Sequence, residues 1–401
     1  MKPKKISWEI VFLTLPFFSI CFTDFIPLIK NIQLVLKVIS FTYISILYFK
    51  VNSDSNNKAY KISIILVCIL SISTFVNTGD FVRLISYAIN ILMPFFIIDV
   101  YRKKISMQVL VNSLLIPYTI MLTINLIYLF IYPFGIYKTE LILGEDFVRY
   151  NFLGLDNQIA PYVLVGTGIL FFKITLLHRI SIQDLFLIIV LTINTILIWS
   201  MTLIISELAL IISGLPSVFL LTFYKRISKL NFRLILLIII ALFIGVSLFN
   251  IQLTYKSFFE NTLGKSVTFS GRSLIWLSAI NRIVQNWLVG LGIQHNDSLV
   301  YFKALGDYRN AHNTFLQIGV VGGLPCLICF LSIISFSLRK ELKKRSQVSI
   351  LMLCLTTFCI AMLSEFYSNL FPFFIIISLI NSVEYESKKK QNRNHHISRF
   401  I

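Results

Sequence analysis

The polar stretch from Ser270 to Gly323 holds most of the residues in this sequence that are suited to chemistry. Arg272 stands near its start, Arg309 near its end, and His312 where apolar sequence resumes. An arginine binds phosphate oxygens at two points and stays charged, whereas a histidine can accept a proton near neutral pH. These residue types predict a site in which cations meet a phosphate leaving group beside a general base.

The segment that follows Arg272 must position it. Residues 273–289 place apolar side chains largely on one helical face, and another face carries Asn281, Arg282, Gln285 and Asn286. This pattern predicts an amphipathic helix at the membrane interface, with its tryptophans at headgroup depth. Arg272 would lie in its first turn, and Gly290 and Gly292 would close the helix and allow a sharp return.

His312 is predicted to begin a membrane span, with Asn313 beside it and Gly319 and Gly323 on one face. Glycines four residues apart let another backbone approach closely. The N-terminus of this helix carries the positive end of the dipole and free N–H groups, which predicts an anion site. The alternative is a histidine that only caps the helix or lies on the surface. The neighbouring arginines favour the functional interpretation.

Composition sets the class of protein. Hydrophobic residues make up 57% of the 401 residues and charged residues 13%, which indicates an all-α polytopic membrane protein. We predict about twelve transmembrane helices from the apolar runs. Their approximate limits are 7–23, 32–49, 61–77, 81–99, 106–131, 158–173, 183–199, 202–223, 234–249, 312–338, 347–364 and 369–383.

The charge pattern predicts the topology. Most of the 36 lysines and arginines lie in alternate loops and at the two ends, so both termini are predicted to be cytoplasmic. Because these charges fit membrane anchoring, the net charge of +18 does not indicate nucleic acid. The predicted regions are helices one to nine at 1–249 with a short outer loop at 132–157, a long extracytoplasmic catalytic loop at 250–311, three helices at 312–383, and a basic cytoplasmic tail at 384–401.

Several further polar residues lie in or near the predicted spans. Arg83 either pairs with Asp80 or binds an anion. Lys37 either snorkels or pairs structurally, or it faces the bundle interior or a cavity, as costly ionisable groups in a span usually do. Glu207 is either active in proton transfer or the partner of a buried base. Arg149 stands in the shorter outer loop, where Asp156 and Asn157 could simply cap the next helix. Its guanidinium could instead bind a phosphate.

These motifs resemble those of the O-antigen ligase and Wzy-type polysaccharide polymerase superfamily. The matching residues are Ser270-Gly271-Arg272, Trp276, Gly290-x-Gly292, His312-Asn313 and Gly323. The region from Arg149 to Asn157 is similar to the family's arginine-containing outer loop. Two features depart from the family pattern: no arginine follows Ser200, and Cys326 replaces the Gly, Thr or Tyr that ligases prefer. These departures favour a polymerase over a ligase.

The resemblance implies a bacterial multi-pass enzyme of the cytoplasmic membrane that transfers a glycan from undecaprenyl pyrophosphate. His312 and Arg272 would be catalytic, and Arg149, Arg309, Asn313, Arg282 and Arg83 would bind the pyrophosphate or glycan. Asp297, Asp307 and Glu365 are reserve bases. No Asp-x-Asp motif occurs in the outer loops, so neither a metal nor a cofactor is expected.

The expected partners of this enzyme are the lipid-linked glycan, membrane lipid, a flippase and a chain-length regulator. Nucleic acid is not expected. Two alternatives stay open. One is a ligase that moves finished glycan to another acceptor. The other is a transporter or flippase, whose sequence would show broken helices in two matching halves.

Overall fold

A computed structural model of the protein describes residues 6–51, 57–133, 135–140, 147–201, 231–249, 272–302, 306–339 and 346–383. This part of the chain is mainly helical. Its α-helices are α1 Trp8–Thr14, α2 Phe22–Phe25, α3 Pro27–Lys50, α4 Lys58–Val76, α5 Phe81–Lys104, α6 Met107–Ile131, α7 Asp156–Leu177, α8 Ile182–Met201, α9 Phe232–Phe249, α10 Arg272–Gln285, α11 Thr314–Ser337, α12 Ser346–Ser364 and α13 Phe371–Val383.

The helices follow the predicted spans closely. Every predicted span coincides with a helix except 202–223, which lies outside the described residues together with Glu207 and the basic tail. The predicted span at 7–23 is wrong in one respect, because it is not continuous. α1 ends at Thr14, and a 3-10 turn at Leu15–Phe17 follows it. Pro16 lies in that turn, and proline lacks the N–H that a continuing helix needs.

Six of the described helices are long and apolar enough to cross a membrane, and five are apolar but shorter. Several faces of the bundle also expose large apolar side chains, as on α3, which presents Leu28, Ile32, Leu36, Ile39 and Phe49. An aqueous solvent disfavours such a surface, whereas lipid accepts it. The structure is therefore consistent with a polytopic membrane protein.

The expectation of a purely α-helical chain is incomplete, because two small antiparallel sheets occur. β1 Tyr137–Glu140, β2 Phe147–Asn151 and β3 Gly154–Leu155 form one sheet in the order β1-β2-β3. β4 Val300–Phe302 pairs with β5 Asp307–Arg309 in a hairpin. Both sheets lie within the two predicted outer loops. Short strands give those segments backbone hydrogen bonds that a loop lacks.

The amphipathic helix is present as α10, but it ends at Gln285 rather than 289. The side chains of its predicted apolar face are of two kinds, buried and exposed. Trp276 and Ile283 are buried against the protein, while Leu274, Leu277 and Val284 are exposed. Ile283 and its buried neighbours form a small core with residues of β4 and α11 and with Ala311. This core ties α10 and the β4–β5 hairpin to the first half of α11.

The return after α10 uses both predicted glycines. Gly290 and Gly292 have φ of +73° and +71°, a left-handed conformation that disfavours residues with a Cβ atom. A Cβ atom on Gly290 would also lie 2.4 Å from the carbonyl oxygen of Val321. The chain can therefore turn here in direct contact with α11.

α11 is interrupted at Gly323, which has φ of +69° and ψ of −172°. The return segment after α10 fills the interruption. The N–H groups of Leu291 and Gly292 donate to the carbonyls of Val320 and Val321, and the N–H of Leu324 donates to the carbonyl of Trp287. A backbone does approach Gly323 closely, but it is the return segment at Trp287 and Leu288 and not another helix. At Gly319 the predicted backbone approach is wrong, because the nearest atoms belong to the side chain of Ile283.

Candidate active site

Arg272, the first residue of α10, is held by the end of α12 and the residue that follows it. Its Nη1 donates to the carbonyl of Ser364 at 2.7 Å, and its Nη2 lies 2.7 Å from Oε1 of Glu365. The Arg272 side chain is 13% exposed and that of Glu365 is 1% exposed. A guanidinium has five N–H groups, so the two contacts fix its plane and leave donors for a ligand.

The same segment holds the start of α11. The hydroxyl and the backbone N–H of Thr314 both donate to the carbonyl of Glu365, at 2.9 and 3.1 Å. The side-chain amide of Asn313 donates to the carbonyl of Leu363 at 2.8 Å. Residues 363–365 therefore join Arg272 to the residues that follow His312. This arrangement brings the two predicted catalytic residues to one place.

His312 lies two residues before α11 and not inside it, contrary to the prediction. Its φ is +44°, in the left-handed region, and its backbone N–H donates to Oδ1 of Asn310 at 2.9 Å. A non-glycine residue in this region costs of order 1–3 kcal/mol and persists only where its surroundings hold it. Burial, helped by the positive charges of Arg272 and Arg309, lowers the pKa of His312 to about 4. The imidazole is therefore neutral at pH 7.

Arg309 belongs to the same group of residues. We call Arg272, Arg309, His312 and Glu365 together the His312 site. Arg309 ends β5, where its backbone pairs with Val300 of β4. Its Nε is buried and has no hydrogen-bond partner among the described residues. Its guanidinium also pairs with none of the described carboxylates. An anion would therefore find in Arg309 a cation that no carboxylate has already compensated.

The anion site predicted at the helix N-terminus is largely filled by the protein itself. Oδ1 of Asn313 accepts the N–H of Leu316 at 2.9 Å, and the carbonyl of Glu365 accepts that of Thr314. These contacts satisfy donors that the prediction left free for a ligand. Asn313 itself is fully buried, and both polar atoms of its side chain are used in these structural contacts. Arg309 and Arg272 therefore remain as the cations that a ligand can reach.

The structure does not bring two other predicted binding residues into contact with the His312 site within its described part. Arg282 is ten residues after Arg272 on α10, which is about 15 Å along the helix axis. Arg149 lies in β2, where its backbone pairs with Lys138, and its side chain is outside the described part of the structure. The Asp156–Asn157 cap is wrong in position, because α7 already begins at Asp156.

Arg83 does not pair with the Asp80 carboxylate, so that alternative is wrong. Asp80 accepts the backbone N–H of Arg83 at 3.0 Å, and its second oxygen lies 2.8 Å from Nδ1 of His295. The Arg83 guanidinium instead binds Asp297 at 2.6 Å and the carbonyl of Gln294 at 2.7 Å. The start of α5 is thereby fixed to the segment between α10 and β4.

The reserve bases are mostly engaged. Glu365 is bound to Arg272 and Asp297 to Arg83, which leaves Asp307 as the exposed carboxylate of the three. Sequence reasoning placed Glu365 on the outer side but missed its pairing with Arg272. The only signal was a single acidic residue in an apolar region, because such a residue needs a basic partner.

Comparison with protein families gives a match over part of this chain of apolar helices. The family model described as Wzy_C, O-antigen ligase, matches residues 187–331. The match is consistent with the O-antigen ligase and Wzy-type superfamily of membrane proteins, whose members are glycosyltransferase-like enzymes. It includes Arg272, Arg309 and His312 but neither Arg83 nor Glu365. No curated protein and no solved structure matched the chain.

Proposed function

We propose that the protein is a polymerase that joins oligosaccharide repeat units carried on undecaprenyl pyrophosphate at the outer face of the bacterial cytoplasmic membrane. The convergence of Arg272, Arg309 and His312 at one end of the bundle supports this proposal. Two arginines suit a pyrophosphate, and a neutral imidazole beside them suits a sugar hydroxyl that must lose a proton. A flippase and a chain-length regulator are the expected protein partners.

In the proposed reaction, a hydroxyl of the second glycan attacks the anomeric carbon of the first. The new bond from this carbon to the acceptor oxygen forms as its bond to the pyrophosphate oxygen breaks. The electron pair of the broken bond leaves with the pyrophosphate, whose charge Arg309 and the free donors of Arg272 stabilise. His312 takes the hydroxyl proton. Transfer from a pyrophosphate needs no further activation, so no metal or cofactor is assigned.

The low pKa of His312 fits a base that the substrate activates. In the free protein, burial is the main cause that disfavours a positive imidazole, and the charges of the two arginines add to it. A bound pyrophosphate compensates the arginine charges, which removes their part of the shift in the pKa of His312 and leaves the larger part that is due to burial. A base is most effective when its pKa lies near the working pH. The pKa of His312 would therefore lie closer to that condition with the donor in place than without it.

A polymerase and a ligase share this chemistry and differ in the acceptor. The deciding experiment supplies the purified protein in lipid nanodiscs with one lipid-linked repeat unit and no other acceptor. We expect a ladder of products that differ by one repeat unit. A single product that appears only after a different acceptor is added would instead identify a ligase. Transport of the intact lipid-linked unit without any new glycosidic bond would contradict both.

A further inference from the structure

A second group of cations lines a cavity between α3, α5 and the segment that precedes α13. Its volume is about 220 Å³, and its lining includes Lys30, Gln33, Lys37, Arg83, Asn90 and Ser368. We call it the Lys37 cavity. Asp24 is the one acidic residue in its lining, whereas three basic residues line it. Arg83 is already paired with Asp297, and Asp24 interacts electrostatically with Lys30, so Lys37 supplies the uncompensated charge.

Lys37 is the most unusual of these residues. It is 8% exposed, and among the described residues it forms neither a hydrogen bond nor an ion pair. Its Nζ lies 5.7 Å from the ring centre of Phe17. The structure thus contradicts the first two expectations for Lys37, since the side chain is neither paired nor extended to solvent, and agrees with the third, since the residue lines a cavity. A buried ammonium group without an anion is costly, and a ligand anion would remove that cost.

Asn90 adds a second unsatisfied group. It is 5% exposed, and its Oδ1 is buried without a hydrogen-bond partner in the described part of the chain. An amide oxygen accepts hydrogen bonds from hydroxyl groups. One cavity is therefore lined by the cation of Lys37, which lacks an anion among the described residues, and by the Oδ1 acceptor of Asn90, which lacks a donor among them. A phosphate attached to a sugar carries both complementary groups.

An apolar groove lies on the other side of Gln33. It has a volume of about 630 Å³ and runs between α3 and the segment from α1 to Ile20. Gln33 lines both spaces and donates to the carbonyls of Pro16 and Phe18. The groove is lined almost entirely by apolar side chains such as Phe12, Ile32 and Ile39. A polar cavity beside an apolar groove fits a ligand with a charged end and a long hydrocarbon chain.

Two structural connections link the Lys37 cavity to the His312 site, a short chain segment and a salt bridge. Ser368 in its lining is three residues after Glu365, and three residues span at most about 11 Å. Arg83 binds the segment that runs from α10 to β4. A glycan that extends from the cavity could therefore reach His312.

We propose that the Lys37 cavity and its adjoining groove bind a second lipid-linked glycan, the acceptor of the transfer reaction. Lys37 and Lys30 would hold its phosphate groups, Asn90 a sugar hydroxyl, and the groove its isoprenoid chain. The inference rests on the proposed function, because a second lipid-linked substrate is needed only if repeat units are joined. The cavity holds the phosphate end, since 220 Å³ is too small for a whole oligosaccharide.

The test counts bound lipids by native mass spectrometry of the full chain with a polyprenyl pyrophosphate that carries no sugar. We expect two bound lipids for wild type, one for Lys37→Met and one for Arg309→Ala. Lys37→Arg should restore the second lipid. Lys50→Met is the matched control on the same helix, because Lys50 is exposed and at the other end of α3, and it should retain two. Two lipids on Lys37→Met would overturn the proposal.

Kinetics give an independent measure. With the donor saturating, Lys37→Met should raise the KM for the acceptor roughly tenfold and leave kcat unchanged, since one charge-assisted contact is lost. Should Lys37→Met fail to fold, Lys30→Met tests the same cavity, because Lys30 is exposed and its replacement leaves the packing intact. An unchanged acceptor KM in the folded variant would count against the proposal.

The outcomes separate this inference from the proposed function. If Lys37→Met removes a lipid while Arg309→Ala and His312→Ala still make polymer, the Lys37 cavity stands and the assignment of the His312 site fails. If polymer formation depends on His312 but wild type binds a single lipid, the assignment of the His312 site stands and the second lipid site fails.

Discussion

At the His312 site, the guanidinium of Arg272, which is 13% exposed, is held by the buried carboxylate of Glu365. In the Lys37 cavity, the buried ammonium group of Lys37 lies over the ring of Phe17 and forms no ion pair with a described carboxylate. The paired cation is fixed by its partner and contributes position and hydrogen-bond donors. The charge of the unpaired cation is not compensated by any described carboxylate, so it is available to a ligand. Burial of a cation alone therefore does not show its role, because the role depends on whether the protein supplies the anion.

The largest effect is expected for His312→Ala, because it removes the proposed base without touching either cation. We expect polymer formation from a lipid-linked repeat unit to fall by about 10²–10⁴-fold. His295→Ala is the matched control, since the His295 side chain is 91% exposed and contacts Asp80 rather than the His312 site. If His312→Ala made as much polymer as wild type, His312 would not be the base, and the His312 site would not differ from the Lys37 cavity in its chemistry.

The free energy of unfolding shows directly whether the charges of Arg272 and Lys37 are compensated by the protein. Glu365→Ala leaves Arg272 buried without its anion and should lower the free energy of unfolding by about 3–5 kcal/mol. Lys37→Met removes a charge that had no partner, so it should leave the free energy of unfolding unchanged or raise it. Thermal unfolding in one detergent checks both. A loss of stability in Lys37→Met as large as that in Glu365→Ala would contradict the comparison.

A smaller effect is expected for Arg272→Lys. Lysine keeps the charge, but it cannot contact Ser364 and Glu365 and still present donors in one plane. Polymer formation should fall roughly tenfold, the cost of one charge-assisted hydrogen bond. The protein should still insert into the membrane, which membrane fractionation checks. Full activity in Arg272→Lys would mean that its charge alone matters.

The smallest expected effect is on the pH dependence of stability. The folded protein lowers the pKa of His312 to about 4, whereas an unfolded histidine has a pKa near 6.5. Between these values, the unfolded chain binds more protons, so this contribution to stability is complete above pH 6.5 and is lost as the pH falls toward 4. The melting temperature of wild type should drop more over this range than that of His312→Ala. Parallel curves would show that burial of His312 does not perturb its titration.

Local sequence patterns predicted much of the fold. Apolar runs located the helices, since the length of a span follows from hydropathy along the chain. Gly290 and Gly292 marked the return after α10, because their positive φ angles are a property of single residues. The two small sheets were missed. Their strands are only two to five residues long, too short for a period-two pattern to stand out.

Part of the site was also predictable. Arg272 and His312 were expected to meet because each stands at a boundary between polar and apolar sequence. The partners of the cations were not predictable. Glu365 lies 93 residues from Arg272, and Asp297 lies 214 residues from Arg83. Asp80 is the acidic residue nearest to Arg83 in the sequence, so it was the expected partner of the guanidinium. In the structure, the Asp80 carboxylate instead accepts the backbone N–H of Arg83 and contacts His295.

The sequence alone determined that the chain forms apolar helices, where most of them lie, and which polar segments carry arginine and histidine. These properties depend on residues within a few positions of one another. Only the tertiary structure decided that Arg272 is compensated by Glu365 and that Lys37 is buried without an anion. Charge compensation depends on which helices pack together, and at these distances along the chain it is set by the packing of the whole bundle.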